Sequence, residues 1–375
     1  MRFFSYLTET VMDQLFFQKP QYFDKNSKRE LLANVLGATL YMPALRQNIH
    51  NDIVTNKHIG LTSLVFDLED GIGDLVLDKA ENHLVQEIRA IYLALKNGNS
   101  PNLDFPLMFI RIRNVEQFKR IRAKLGEGIQ ALTGVVLPKF APEAGEELLA
   151  EVRHLSTESS PFYAMPILES GKVIKKETRM AELCRIKELL DNYKNYILNI
   201  RIGATDFSGM YGIRRKSGTT VYDIAILRDC IADIINVFQR ADSPYVISGP
   251  VWEYFPNNRL NKGRKLNNQD VEGFMREIFL DIENGLIGKT IIHPTQIKPV
   301  QALNVVSFED YIDALNIMEV ATGEVGILKS QFANKMNEIK PHYYWAKKVL
   351  LKSQVYGVLH EEYTCIDLIQ QEAFV

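Results

Sequence analysis

The sequence predicts a (β/α)8, or TIM, barrel with a C-terminal helical extension, and three observations carry that prediction. Eight short apolar, β-branched runs recur along the chain with helix-length stretches between them. Their span of roughly 250 residues suits a single barrel. Residues fit for chemistry stand at the ends of most runs, including the second, third, fifth and sixth, whereas an open doubly wound sheet gathers its site at one topological switch.

The runs are Ala38 to Met42, Leu64 to Asp67, Leu107 to Arg113, Gly134 to Pro138, Phe162 to Leu168, Ile197 to Gly203, Tyr245 to Ser248 and Thr290 to Ile292. Between them, Val115 to Leu125, Glu143 to Leu155 and Val221 to Arg240 carry apolar residues at helical spacing. Pro142, followed by Glu143, Glu146 and Glu147, marks a helix start with acids in its first turn. Residues 1–30 read as an N-terminal helical segment and 31–305 as the barrel. After His293-Pro294 the sequence turns polar and helical, and 306–375 reads as the extension, an oligomerisation arm or a lid.

Composition sets outer limits. In 375 residues, 44 Lys and Arg nearly balance 46 Asp and Glu, so no global field favours nucleic acid or an anionic membrane. An anionic ligand must be held locally. Cys184, Cys230 and Cys365 lie far apart, without zinc-ligand spacing or a disulfide framework, which fits a reducing cytoplasm. The first 18 residues lack the basic and apolar regions of a signal peptide, and no run approaches a membrane span. GxGxxG, P-loop, HExxH and GxSxG motifs are all missing.

The densest chemical signal is Phe66-Asp67-Leu68-Glu69-Asp70-Gly71, a buried-strand pattern running into three acids. Crowded carboxylates need a cation or ligand to compensate them, although an exposed acidic turn reads the same way. Glu169 ends the fifth run and Asp206 follows the sixth, so a barrel sets them on adjacent strand ends. Two such acids fit one hard cation, Mg2+ or Mn2+, with water or substrate oxygens completing its shell. Taken singly, each is a salt-bridge partner or helix cap. Arg111 and Arg113 alternate on one strand and either fork a carboxylate or join a structural network with barrel acids. Lys139, after Pro138, is a second anion contact or a surface residue. Gly203, Gly209, Gly212 and Gly218 surround Arg214-Arg215-Lys216 in a loop that suits a phosphate or forms a solvated lid, and Arg259 to Lys265 is a second basic loop. His293 is expected to cap the eighth strand by donating to a carbonyl.

In this order, Phe66-Asp67-Leu68-Glu69-Asp70, Ile110-Arg111-Ile112-Arg113, Leu137-Pro138-Lys139, Ile167-Leu168-Glu169-Ser170, Gly203-Ala204-Thr205-Asp206 and Gly288 to Ile297 resemble the HpcH/HpaI aldolase and citrate lyase beta-subunit superfamily. The resemblance runs from about residue 36 to about residue 350. It implies a TIM barrel, a divalent metal and carbon–carbon bond cleavage or formation beside a carboxylate or thioester carbonyl. Matched residue by residue, Glu169 and Asp206 are the metal ligands and Arg111 the substrate-carboxylate arginine. Glu69 and Asp70 match the acids that hold metal-bound water and order the site. The metal would act as a Lewis acid on an enolate oxygen while the arginine fixes the carboxylate.

Two departures shape the functional expectation. Arg113 stands where the lyases typically carry asparagine, and Asn337, beside Glu338, falls where acyl-CoA lyases carry a catalytic aspartate. The chain looks closer to a divergent C–C bond lyase branch associated with tellurium-resistance and stress-response gene clusters. The expected activity is a Mg2+-dependent C–C lyase or aldolase on a small oxo or hydroxy acid, CoA- or phosphate-linked in some versions. Arg113, Lys139, Arg214 and Arg215 are its candidate substrate contacts. The alternative is a catalytically reduced barrel that binds metal and anion as a partner or sensor. The resemblance also implies a homo-oligomer, since the superfamily commonly covers a neighbour's site with C-terminal helices.

Overall fold

A computed structural model describes residues 1–97, 105–255, 268–321, 323 and 326–371. The basic loop Arg259 to Lys265 lies outside the described residues. The chain forms two compact units, one of residues 24–297 and one of residues 1–23 with 298–375.

The first unit is a parallel eight-stranded barrel. Its strands are β1 (Ala38–Pro43), β2 (Ser63–Asp67), β3 (Leu107–Arg111), β4 (Gly134–Leu137), β5 (Tyr163–Leu168), β6 (Ile200–Ile202), β7 (Ile247–Ser248) and β8 (Lys289–Ile291). Neighbours pair in chain order, and β8 returns to β1 with Ala38 opposite Lys289. A parallel bridge between Gly249 and Lys289 closes the ring from β7 to β8. Every one of these strands falls within a residue or three of an expected run. The sixth is shorter than its run because the chain after Tyr196 approaches as an isolated bridge, Ala164 to Ile197, before regular pairing begins.

Helices occupy the crossovers: α1 (Ile49–Val54), α2 (Leu77–Lys96), α3 (Val115–Leu125), α4 (Pro142–Leu155), α5 (Lys176–Asn192), α6 (Ala225–Phe238) and α7 (Asn268–Glu283). In α3 the Asn114 side chain accepts the Gln117 N–H at 2.9 Å, satisfying one of the unpaired first-turn donors, while Val115, Phe118, Ile121 and Leu125 form the buried stripe. Pro142 opens α4 as expected. The helix expected from Val221 begins at Ala225 instead. Asp223 turns back to accept the Thr220 N–H at 2.8 Å and its hydroxyl at 2.9 Å, a closed cap that fixes residues 221–223 as a tighter turn.

Gly134 makes the β4–β5 contact. A Cβ there would stand 2.0 Å from the Tyr163 carbonyl oxygen, so only glycine admits this approach. Within the barrel, the Ser63 hydroxyl donates to the Leu36 carbonyl at 2.6 Å and meets Thr39 Oγ1 at 3.0 Å.

The second unit joins the two ends of the chain. Phe16–Gln18 pairs antiparallel with Val358–Leu359, and Phe3 stacks obliquely on Tyr356 with ring centroids 4.4 Å apart. Phe3 also meets Phe23, and Phe4 meets Phe16. Helices α8 (Phe308–Glu319) and α9 (Ile339–Tyr356) enclose a small core of Ala314, Ile317, Ile339 and Ala346. Asn337 lies buried in this unit and donates its amide to Asp313 Oδ1 at 2.8 Å, with Lys335 at 3.0 Å from Asp313 Oδ2. Glu338 is exposed. Among the described residues no helix is long and apolar enough to cross a membrane.

Candidate active site

The C-terminal ends of the barrel strands surround a cavity of about 390 Å³, whose lining includes Tyr41, Asp67, Arg111, Glu169, Arg201 and Asp206. Asp67, the last residue of β2, sits in register with Arg111, the last of β3. Arg111 forks it, Nε to Oδ1 and Nη2 to Oδ2, both at 2.7 Å. The same carboxylate accepts the N–H groups of Glu69 and Gly71 at 2.9 Å each, so it also folds the loop that follows β2. A buried carboxylate with four donors is well compensated. The remaining Arg111 nitrogen, Nη1, faces Glu69 at 3.1 Å and Asp70 at 3.4 Å.

Arg111 therefore lines the cavity while anchored in an acidic network. The sequence showed Asp67 as one of three acids but not as the arginine's partner. Burial and the neighbouring Asp70 push the Glu69 carboxyl up. In Asp70, whose burial works the other way, the Glu69 hydrogen bond and the charges of Arg111 and Lys139 hold the carboxyl below its ordinary range.

Lys139 follows β4 in a left-handed conformation, φ 48°, which a non-glycine residue adopts at some cost. The conformation aims its backbone N–H at Glu169 Oε1, 2.8 Å away, while Nζ bonds Glu69 Oε1 at 2.5 Å and stands 3.6 Å from Asp206. One residue thus ties three of the expected site acids together.

Glu169, 2% exposed, directly follows β5. Asp206 lies in the first turn of the helix Ala204–Gly209 after β6, and no side-chain cap engages it there. Gly203 makes room for the Glu169 carboxylate. A Cβ on it would fall 2.0 Å from Glu169 Oε2. Burial, then the charge of Asp206, pushes the Glu169 carboxyl up to about 8. An adjacent pair of acids with that penalty is a fitting donor set for a hard divalent cation, which would take two protein oxygens and fill its other positions with water or ligand. No group of three metal-ligating side chains exists among the described residues, so the pair would act without a third.

Other expected contacts are placed elsewhere. Arg113 lies beyond the end of β3, so strand alternation no longer directs it into the barrel. Its guanidinium donates to the Leu68 and Ile72 carbonyls and pairs with Asp74, latching the loop after β2. Arg215 is buried against Glu277 and Glu253 with its guanidinium over the Trp252 ring, because Glu277, wholly buried, requires cations and takes Lys289 at 2.8 Å as well. Arg214 is exposed and does not line the cavity. His293 accepts where it was expected to donate. Its Nδ1 takes the Thr295 N–H at 3.3 Å, capping the turn Pro294–Gln296 after β8, and its ring stacks on Phe255.

Sequence reasoning missed Arg201, in the middle of β6, which lies in register with Ile167 two residues before Glu169. The triplet Ile200-Arg201-Ile202 reads as a strand, and nothing in it shows which way the arginine points.

Residues 30–358 match a family model described as the C–C bond lyase of the TIM-barrel fold. Among solved structures, protein CitE from Mycobacterium tuberculosis in complex with magnesium, acetoacetate and coenzyme A is 18% identical, with a TM-score of 0.52 over 86% of this chain and 99% of that one. Citrate lyase beta subunit from the same organism, complexed with oxaloacetate and magnesium, is 18% identical over 72% of this chain and 96% of that one, with a TM-score of 0.44. RipC from Yersinia pestis is 16% identical over 74% and 94%, with a TM-score of 0.46. At these identities the likeness is one of fold. No curated protein matches the chain.

Proposed function

From the chain's membership of the C–C bond lyases of the TIM-barrel fold, we propose that the cavity binds a small oxo or hydroxy acid together with Mg2+ or Mn2+ and makes or breaks the carbon–carbon bond next to its carbonyl. The observation that carries this reading is the Glu169–Asp206 pair at the cavity wall, held beside an arginine already oriented by Asp67. Glu169 and Asp206 would hold the divalent cation, which when bound would supply Lewis-acid stabilisation of charge on the substrate oxygen. The magnesium and the small carboxylates found with CitE support the same choice of ligand class.

The chain's own residues divide the remaining work. Arg111 presents Nη1 to a substrate carboxylate, and its fork on Asp67 fixes the direction of approach. Lys139 holds Glu69 and reaches toward Asp206, which limits how far the acids can separate before ligand arrives. Glu69 and Asp70 share hydrogen bonding with each other and with these cations, which suits them to hold and move a proton at the mouth of the site. Arg113 and Arg215 act by position, through the loops they anchor.

Calorimetric titration of Mg2+ into metal-free protein tests the reading, with and without pyruvate. Binding that tightens with the oxo acid, and falls at least tenfold in both Glu169→Gln and Asp206→Asn, is the expected result. Full affinity in both variants overturns the ligand assignment. A binding barrel without turnover is the second reading. It draws on Asn337, whose amide is committed to Asp313 and offers no acid. Product formation from a panel of oxo acids and acyl-CoA esters separates the two. We also propose a homo-oligomer, which light scattering at micromolar concentration checks; a monomer removes the idea of a shared site.

A further inference from the structure

Among the described residues Arg201 has no counter-ion. It is 1% exposed and lines the cavity. Its Nη1 donates to Thr39 Oγ1 on β1 at 3.3 Å and its Nη2 to Thr290 Oγ1 on β8 at 2.8 Å, so the side chain reaches across the barrel lumen. Those two bonds use two of the five N–H donors of a guanidinium. Nε is buried with no partner. Among the described residues no carboxylate offsets the burial that lowers its pKa.

The contrast with Arg111 is informative, because both guanidiniums flank the Tyr41 ring, at 5.5 and 5.6 Å from its centroid. Arg111 has Asp67 in a two-bond fork, while Arg201 has only hydroxyls and the ring face. Aromatic and hydroxyl contacts recover a minor part of what it costs to bury a charge. An arginine kept under those conditions beside an open cavity is set to receive an anion from it.

We propose that Arg201, with Thr39, Thr290 and Tyr41, forms a second anion subsite at the inner end of the cavity, and that the substrate is an oxo acid carrying a further carboxylate or phosphate group. The inference rests on the lyase reading, which places the oxo-acid end against Glu169, Asp206 and Arg111. The register of Arg201 with Ile167 sets the subsite one inward step below Glu169.

The test compares three ligands that differ at one position: pyruvate, oxaloacetate and 3-phosphonopyruvate. Each is titrated into Mg2+-loaded wild type, Arg201→Met and Arg201→Lys. The wild type is expected to bind at least one of the two longer anions about tenfold or more tighter than pyruvate, as a charge-assisted fork would give. Preference for oxaloacetate identifies a carboxylate, and preference for phosphonopyruvate a phosphate. Arg201→Met is expected to lose that preference while its affinity for pyruvate stays within about twofold.

Equal weakening of all three ligands in Arg201→Met, or survival of the preference, overturns the proposal. Melting temperature without ligand gives a second reading. A purely structural strut predicts that Arg201→Met melts lower, whereas an unpaired cation kept for a ligand predicts an equal or higher value. If the Met variant does not fold, Arg201→Lys decides: retained folding with a reduced preference supports the subsite, and an unchanged preference overturns it. Failure of the metal reading is seen separately, as absent Mg2+ binding in the wild type. Malonate against acetate, titrated without metal, then tests Arg201 alone.

Discussion

Replacing Asp67 by Asn removes the charge that Arg111 forks and leaves a buried guanidinium facing an amide. Breaking a buried pair from one side typically costs about 3–5 kcal/mol, which urea unfolding would register as a lower midpoint. The loop after β2 would loosen with it, since Asp67 also holds the Glu69 and Gly71 N–H groups. Glu169 gives a different signature. Its folded pKa of about 8 lies above the ordinary 4.5, so between those values the native metal-free state keeps a proton that the unfolded chain has released. Its contribution to stability is present below pH 4.5 and lost as pH rises through about 8. The melting temperature of metal-free protein is therefore expected to fall across that window, less so in Glu169→Gln, while Mg2+ affinity rises with pH as the carboxylate is freed. Glu169, Asp206 and Arg111 stood out as candidates in the sequence because each lies at or just beyond the end of an apolar run. Arg201 and the partnership of Asp67 were not, because which strand residues face each other across a barrel depends on closure and shear.

At the scale of elements, the strands were legible because parallel barrel strands are buried on both faces and read as continuous apolar runs. Helix ends were less so: the turn Val221–Asp223 belongs to a cap that only the Asp223 side chain reveals. Alternation failed at Arg113 for a similar reason, since β3 ends at Arg111 and the period-two rule ends with it. Gly134→Ala is expected to push β4 from β5 at the Tyr163 carbonyl, costing about 1–3 kcal/mol by overpacking, measured by denaturant titration. Gly203→Ala acts on the site more than on the fold. Its Cβ would overlap Glu169 Oε2, so the carboxylate must turn away from Asp206, and Mg2+ affinity is expected to fall with a smaller change in melting temperature.

For the whole molecule, the count and spacing of the runs led correctly to a TIM barrel. The grouping of residues 1–23 with the C-terminal segment was not legible, because a three-residue strand such as Phe16–Gln18 has no pattern of its own and is fixed by its partner Val358–Leu359. Deleting residues 1–23 is expected to expose Tyr356 and Leu359 and to speed proteolysis within 298–371, while fragments spanning the barrel strands persist; limited proteolysis with mass spectrometry would show both. The same pairing has a consequence on the ribosome. Phe3, Phe4, Phe16 and Phe23 are synthesised some 330 residues ahead of their partners Tyr356 and Val358. At ordinary translation speed the interval is roughly 15–60 s, long enough for the barrel to complete itself in the meantime. For that interval the nascent chain carries an aromatic cluster still waiting for its C-terminal partner, a natural binding site for a holdase chaperone.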